Sequence, residues 1–168
     1  MAGLRRMRLG NAMNDQIGMQ LCIEKAREGI AAGQTPFGSV IIRGSDVVAS
    51  SHNTVWRDCN PTAHAEINAI RQAAQALGTI DLSGSVLYST CEPCPMCLAA
   101  IHWSKIDRVV FGASIGDAAT AGFGELCVGA AELAKLGGSS LQVEPGPLRE
   151  DCCRLFAEWA ARGLSSPY

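Results

Sequence analysis

Two short motifs constrain this chain more than anything else in it: His64-Ala65-Glu66 and, some thirty positions on, Pro93-Cys94-Pro95-Met96-Cys97. They supply one imidazole and two thiols, ligand types that zinc takes in tetrahedral sites. A fold that uses them must bring both motifs to one point. Zinc held by only three side chains keeps a fourth position for water, lowers that water's pKa to about 7, and is catalytic in character. Glu66 stands beside the ligands without being needed as one, which suits it to carry protons.

The spacing says how the motifs must sit. His64 and Glu66 are two apart, and each helical residue turns by about 100°, so both reach one ligand only from a first turn approached end-on. Asn60-Pro61-Thr62 carries the cap signals for such a turn. Cys94 and Cys97, three apart, share one face of the first turn of a second helix entered at Pro93. Two helix N-termini then converge on the metal, and their partial positive charge favours thiolate over thiol.

Other readings of these residues exist. Cys94-Pro95-Met96-Cys97 alone fits a structural zinc knuckle or a redox pair. Cys91, Cys94 and Cys97 form a C-x2-C-x2-C run like that of iron–sulfur proteins, but no fourth cysteine follows and His64 is left unexplained. Cys91 as a fourth ligand would close the zinc site and make the protein a non-catalytic structural module. The open site is the expectation, because it alone uses Glu66.

A length of 168 residues suits a single domain over 1–168, and 48% apolar against 18% charged residues is a globular composition. Net charge is −2 and the basic cluster Arg5, Arg6 and Arg8 is short, so no nucleic-acid partner is expected. Eight cysteines in a chain with this much core need no disulfide framework, and a reducing, cytoplasmic setting follows. Residues 10–16 are polar where a signal peptide would be apolar, and no run reaches membrane-span length.

Asn14 is a cap signal for a helix to about residue 32, with Ile17, Leu21 and Ile30 inward and Gly33 ending it. Residues 37–43 and 47–52 read as a hairpin joined by Gly44-Ser45, and residues 53–60 as a loop. A helix is predicted from near residues 60–62 to before Gly78, a strand over 85–90, a helix over 94–104 and a strand over 108–113. A Gly- and Ala-rich loop, a helix near 126–136, a strand over 141–144 and an amphipathic helix over 148–162 follow. Strands alternating with helices after a hairpin imply a largely parallel sheet flanked by helices.

From Asn53 to Glu125 the chain resembles the cytidine-deaminase-like superfamily of zinc deaminases, whose signature joins H-x-E to P-C-x-x-C. The resemblance is carried by Asn60-Pro61-Thr62-Ala63-His64-Ala65-Glu66, by Thr90-Cys91-Glu92-Pro93-Cys94-Pro95-Met96-Cys97, and by Pro36-Phe37-Gly38 upstream. It implies an α/β fold, a three-layer α/β/α sandwich with a five-stranded mixed sheet, usually as a dimer or larger assembly. It further implies Zn2+ at His64, Cys94 and Cys97, with Glu66 as proton shuttle.

Two branches share these motifs. Bacterial tRNA adenosine deaminases, which convert wobble adenosine to inosine, have a strand similar to Val109 to Ala113. Guanine deaminases, which convert guanine to xanthine and ammonia, carry the cysteine run as it stands here and a D-A-A-x-A-G-F segment, matched by Asp117 to Phe123. The chain resembles the second branch more, and residues 150–162 lack the basic helix of a tRNA binder. That branch implies a purine held by Asn53 and by Glu125, which acts on its protonation, and aromatic lining at Phe37 and Trp103. It also implies a C-terminal segment lent to the neighbouring subunit, closing its site with a terminal aromatic, for which Trp159 and Tyr168 are available.

Overall fold

Neighbouring residues of the central strands bury themselves on opposite sides, and that alternation builds the layers. In strand β1 (Gly38–Arg43) Val40 and Ile42 belong to one apolar cluster and Ile41 to another. Tyr88 and Leu87 divide the same way in β3 (Ser85–Cys91), as do Val110 and Val109 in β4 (Arg108–Ala113). Strands buried on both faces carry consecutive apolar residues, as in Val40-Ile41-Ile42, Val86-Leu87-Tyr88 and Val109-Val110-Phe111. The computed structural model describes residues 2–163, with side chains from residue 14 onward.

The sheet is completed by β2 (Asp46–His52) and β5 (Gln142–Pro145), in the order β2-β1-β3-β4-β5. β1 runs antiparallel to β2 and β3, whereas β3, β4 and β5 are parallel, so the sheet is mixed. Helices α1 (Ala2–Ala31) and α7 (Arg149–Ala160) cover one face. Helices α3 (Ala65–Leu77), α4 (Pro95–Trp103) and α6 (Ala130–Leu136) cover the other. The result is the three-layer α/β/α sandwich with a mixed sheet that the family resemblance implies. The alternation of elements alone suggests a largely parallel sheet, but the opening hairpin continues antiparallel into β3, so two of the four pairings are antiparallel. No helix among the described residues is long and apolar enough to cross a membrane.

Several boundaries differ from expectation for local reasons. α1 starts well before Asn14, and Ile17 is 46% exposed, while Met19, Cys22, Ile23, Ala26 and Ile30 form the inward stripe at helical spacing. α3 begins at Ala65, not near Asn60, because the Asn60 Oδ1 is taken by the N–H and hydroxyl of Thr62 at 2.9 and 2.7 Å. The loop after β2 contains a short helix, α2 (Val55–Asp58). The Gly- and Ala-rich loop contains α5 (Ile115–Thr120), started by a capping box between Ser114 and Asp117.

One sheet edge collects the chemistry. Because β1 is antiparallel to β3, the start of β1 and the end of β2 lie beside the carboxyl ends of β3 and β4: Gly38 pairs with His52, Ser39 with Ser89, and Cys91 with Ala113. Ligands in open α/β sheets bind outside such carboxyl ends. Gly38 shows how tightly α1 closes this corner. A Cβ there would lie 2.2 Å from the Cys22 carbonyl oxygen and 2.7 Å from the Ala26 nitrogen, so only glycine lets the two backbones meet.

Candidate active site

His64 and Cys94 occupy equivalent places: each is the extended N-cap residue of its helix, α3 and α4. Neither side chain caps its own helix, so both are turned to other use. Pro95 takes the first helical position of α4, where its missing N–H costs nothing. Cys97 follows one turn in, fully buried. The Nδ1 of His64 is 3.7 Å from the Cys94 sulfur and 3.5 Å from that of Cys97. Zinc–sulfur and zinc–nitrogen bonds at the tetrahedral angle put such ligand atoms about 3.6 Å apart. The three side chains therefore fit zinc as they stand, and their ligand atoms all lie within 4.8 Å of one another.

The two sulfurs differ electrostatically. The Cys94 thiol is pushed down to about 4, chiefly because its thiolate accepts a hydrogen bond from Cys97. That bond and burial push Cys97 well up in return. Zinc would take both sulfurs as thiolates. Cys91 is not in the cluster: its thiol is turned to the Ser114 carbonyl at 3.8 Å. The closed four-ligand site and the three-cysteine run are therefore not what the fold builds.

Glu66 sits in the first turn of α3, nearly buried. One carboxylate oxygen accepts from the Ser89 hydroxyl at 3.2 Å and the other lies 3.6 Å from the Cys97 sulfur, so Glu66 borders the metal ligands without belonging to their cluster. Burial raises its pKa above the ordinary glutamate value. That favours a carboxyl able to hold a proton and give it back.

The cavity beside the metal ligands is lined by Phe37, Asn53, His64, Glu66, Cys91, Glu92, Cys94, Phe123 and Glu125. Asn53 is buried at the end of β2, where its N–H reaches the Phe37 carbonyl at 3.0 Å. The Val55 N–H donates to its side-chain oxygen at 3.0 Å, which orients the amide. Behind it, buried Asn68 of α3 points its amide nitrogen at the His52 carbonyl, the Thr54 hydroxyl and the Ala63 carbonyl, at 3.1, 2.9 and 3.2 Å. Asn68 therefore ties the Asn53 loop to the helix that starts at the metal. Opposite, Phe123 packs on Phe37, Phe156 and Trp159 with ring centroids 5.0, 5.8 and 5.2 Å apart. Burial, and then the negative charge of Cys94, raise the pKa of Glu125 above its usual value.

Six sequence-predicted site residues, Phe37, Asn53, His64, Glu66, Cys94 and Glu125, share this cavity, and Cys97 closes its metal end. Trp103 does not line it. It ends α4, about 13 Å along the helix from Cys94 at 1.5 Å per residue, and is 79% exposed in a separate groove with Leu98 and Leu133. Trp159 is buried in its own chain's core, and Tyr168 lies outside the described residues. Asn68, Ser89, Glu92 and Phe123 were not assigned roles from the sequence. The one available signal was polarity: Asn68 is polar four positions after His64, on a helix face that must be buried.

Comparison with known proteins agrees with this geometry. The family model for the cytidine and deoxycytidylate deaminase zinc-binding region matches residues 12–113. The chain is 44% identical over 112 residues to the guanine deaminase of Bacillus subtilis (strain 168), a match covering 66% of this chain and 72% of that protein. It is 39% identical over 99 residues to the tRNA-specific adenosine deaminase of the same organism, covering 59% of this chain and 62% of that one. The solved structure of the guanine deaminase from Nitrosomonas europaea superposes with a TM-score of 0.77 at 30% identity, covering 86% of this chain and 83% of that one.

Proposed function

Because the chain belongs to the family of the cytidine and deoxycytidylate deaminase zinc-binding region, we propose that it is a zinc-dependent aminohydrolase acting on guanine. The reaction consumes one water and yields xanthine and ammonia. The observation that carries it is the pairing of a three-ligand cluster, His64, Cys94 and Cys97, with a buried carboxylate, Glu66, outside that cluster. Identity to a guanine deaminase over 112 residues supports the choice of substrate.

Zinc held by His64, Cys94 and Cys97 would supply one thing, a water acidified to a pKa of about 7 and so available as nucleophile. Glu66 takes one proton from the attacking water and passes it to the ring nitrogen beside the amino-bearing carbon. It then takes the second proton from the hydroxyl so added and gives it to the amine, which leaves as ammonia while the carbonyl of xanthine forms. The Ser89 hydroxyl, 3.2 Å from Glu66, keeps that carboxylate aimed into the cavity. Asn53 and Glu125 hold the polar edges of the base, and the ring of Phe37 bounds its face. A purine lacking a matching polar group would leave a buried partner unpaired, so selectivity resides in Asn53 and Glu125.

The working unit is a homodimer of one-domain subunits in a reducing cytoplasm. The exposed Trp103 and Leu136 and the eight free thiols support that setting. We also propose that the segment after Gly163, which lies outside the described residues and includes Tyr168, completes the partner's cavity. Truncation before Gly163 should lower guanine turnover, and unchanged turnover would remove the closing role. The test of function is ammonia release by zinc-loaded protein from guanine, adenine, cytosine, guanosine and an adenosine-containing tRNA anticodon hairpin. Guanine should be the best substrate. Turnover of the hairpin without turnover of guanine would transfer the chain to the tRNA branch.

A further inference from the structure

Glu92 lies between the end of the β3–β4 ladder and the first metal-binding sulfur. Its own N–H donates to the Ala113 carbonyl at 2.8 Å, which anchors its backbone beside Cys91. Its side chain leaves this anchor and accepts two backbone bonds from far along the chain. Oε2 accepts from Ile115 N–H at 3.1 Å, and Oε1 from Ala130 N–H at 2.8 Å. Those are the first residues of α5 and α6.

The stretch between these two amides contains both cavity residues on the side facing the metal, Phe123 and Glu125. After α5, residues 121–129 form no helix or strand. Among the described residues, the bond from Glu92 is the only side-chain hydrogen bond reaching residues 121–130 from elsewhere in the chain. α6 has no side-chain cap of its own, since its N-cap residue is Gly129. A carboxylate is the group for this task, because it offers an acceptor oxygen to each amide, whereas a carboxamide offers one.

We propose that Glu92 is a positioning residue, a clamp that fastens both ends of residues 115–130 to the metal-binding loop and thereby sets Glu125 and Phe123 over the metal. The distance between metal and substrate contacts then depends on one side chain two positions from Cys94. Its effect on turnover rests on the guanine deaminase reading above. Its effect on the segment does not.

The test is Glu92→Gln, which keeps the shape and removes one acceptor. Zinc content should equal that of the parent protein. Turnover of guanine, as kcat/KM, should fall about tenfold or more, since misplacing a group by about 1 Å can cost about a hundredfold. A double-mutant cycle separates positioning from general support: in a Glu125→Gln background the same change should cost much less, because the group it positions is already gone. Parent kcat/KM in Glu92→Gln, losses that multiply fully in the double variant, or loss of zinc would each overturn the clamp.

Amide hydrogen exchange tests it without activity. In the parent protein the amides of Ile115 and Ala130 should exchange far more slowly than those of residues 124–127, and Glu92→Gln and Glu92→Ala should speed them. Equal exchange in the parent, or no change in both variants, would end the proposal. A parent protein inactive on guanine would instead overturn the function and leave these exchange rates to decide the clamp.

Discussion

The two walls of the cavity are held in different ways. On the metal side, His64 and Cys94 start adjacent helices, Glu66 and Cys97 lie within their first turns, and Glu66 is tied to Ser89 of strand β3. Each position follows from backbone geometry within a few residues. On the facing side, Glu125 stands in irregular chain, fastened by an aromatic cluster at Phe123 and by Glu92 at the two ends. The metal wall is stiff through local structure, and the substrate wall through a few long-range bonds. Chemistry should therefore fail sharply when the first is altered, and binding should fade by degrees when the second is.

The largest effect should be at Glu66. Glu66→Gln should retain zinc and lose roughly 10²–10⁴-fold in turnover, the usual worth of a general acid–base group. Cys97→Ser should lose the metal itself, so zinc analysis beside the kinetics separates the two. Near-normal turnover in Glu66→Gln would remove that residue from the mechanism. Next comes Asn68, which touches neither metal nor cavity yet holds the Asn53 loop. Asn68→Ala removes the two N–H donors that the His52 and Ala63 carbonyls and the Thr54 hydroxyl share, and should cost about 1–3 kcal/mol in denaturant unfolding. It should also raise KM for guanine more than it lowers kcat. A pure kcat loss would mean that Asn68 serves the metal wall instead.

The smallest effect concerns the frame of the substrate wall. Asp117 accepts from the Ser114 N–H and hydroxyl, both at 2.9 Å, and pairs with Arg149 at 2.6 Å. The Ser114 backbone bond, ahead of Arg149, holds its carboxyl below the usual aspartate value. The folded-state pKa is the lower one, so its stabilisation is complete above the unfolded value and is lost as pH falls through the folded value. Asp117→Asn should flatten that acid limb in unfolding curves measured against pH. An unchanged limb would show that α5 does not depend on this box.

How much was legible beforehand follows the same division. The metal ligands and Glu66 could be read because their geometry is set by spacings of two and three residues and by cap residues nearby. The layered fold could be read from apolar runs broken by helical stretches. Trp103 was misplaced because a family pattern carries no helix length, and a nine-residue helix takes its last turn away from the cavity that its first turn enters. Asn68 and Glu92 were visible as letters but not as fasteners. Nothing near them in the chain says that Ala63, Ile115 or Ala130 will arrive opposite. Helix α5 was missed although Ser114 and Asp117 carry its capping pattern, because alanine and glycine there mimic a loop.

The central claim is that one imidazole and two thiolates hold the metal and that no other side chain joins them. X-ray absorption at the zinc edge of the loaded protein measures this directly. Two sulfur scatterers at about 2.3 Å and one imidazole at about 2.0 Å are the result the account requires. A third sulfur, such as that of Cys91, which lines the same cavity, would close the site and contradict it.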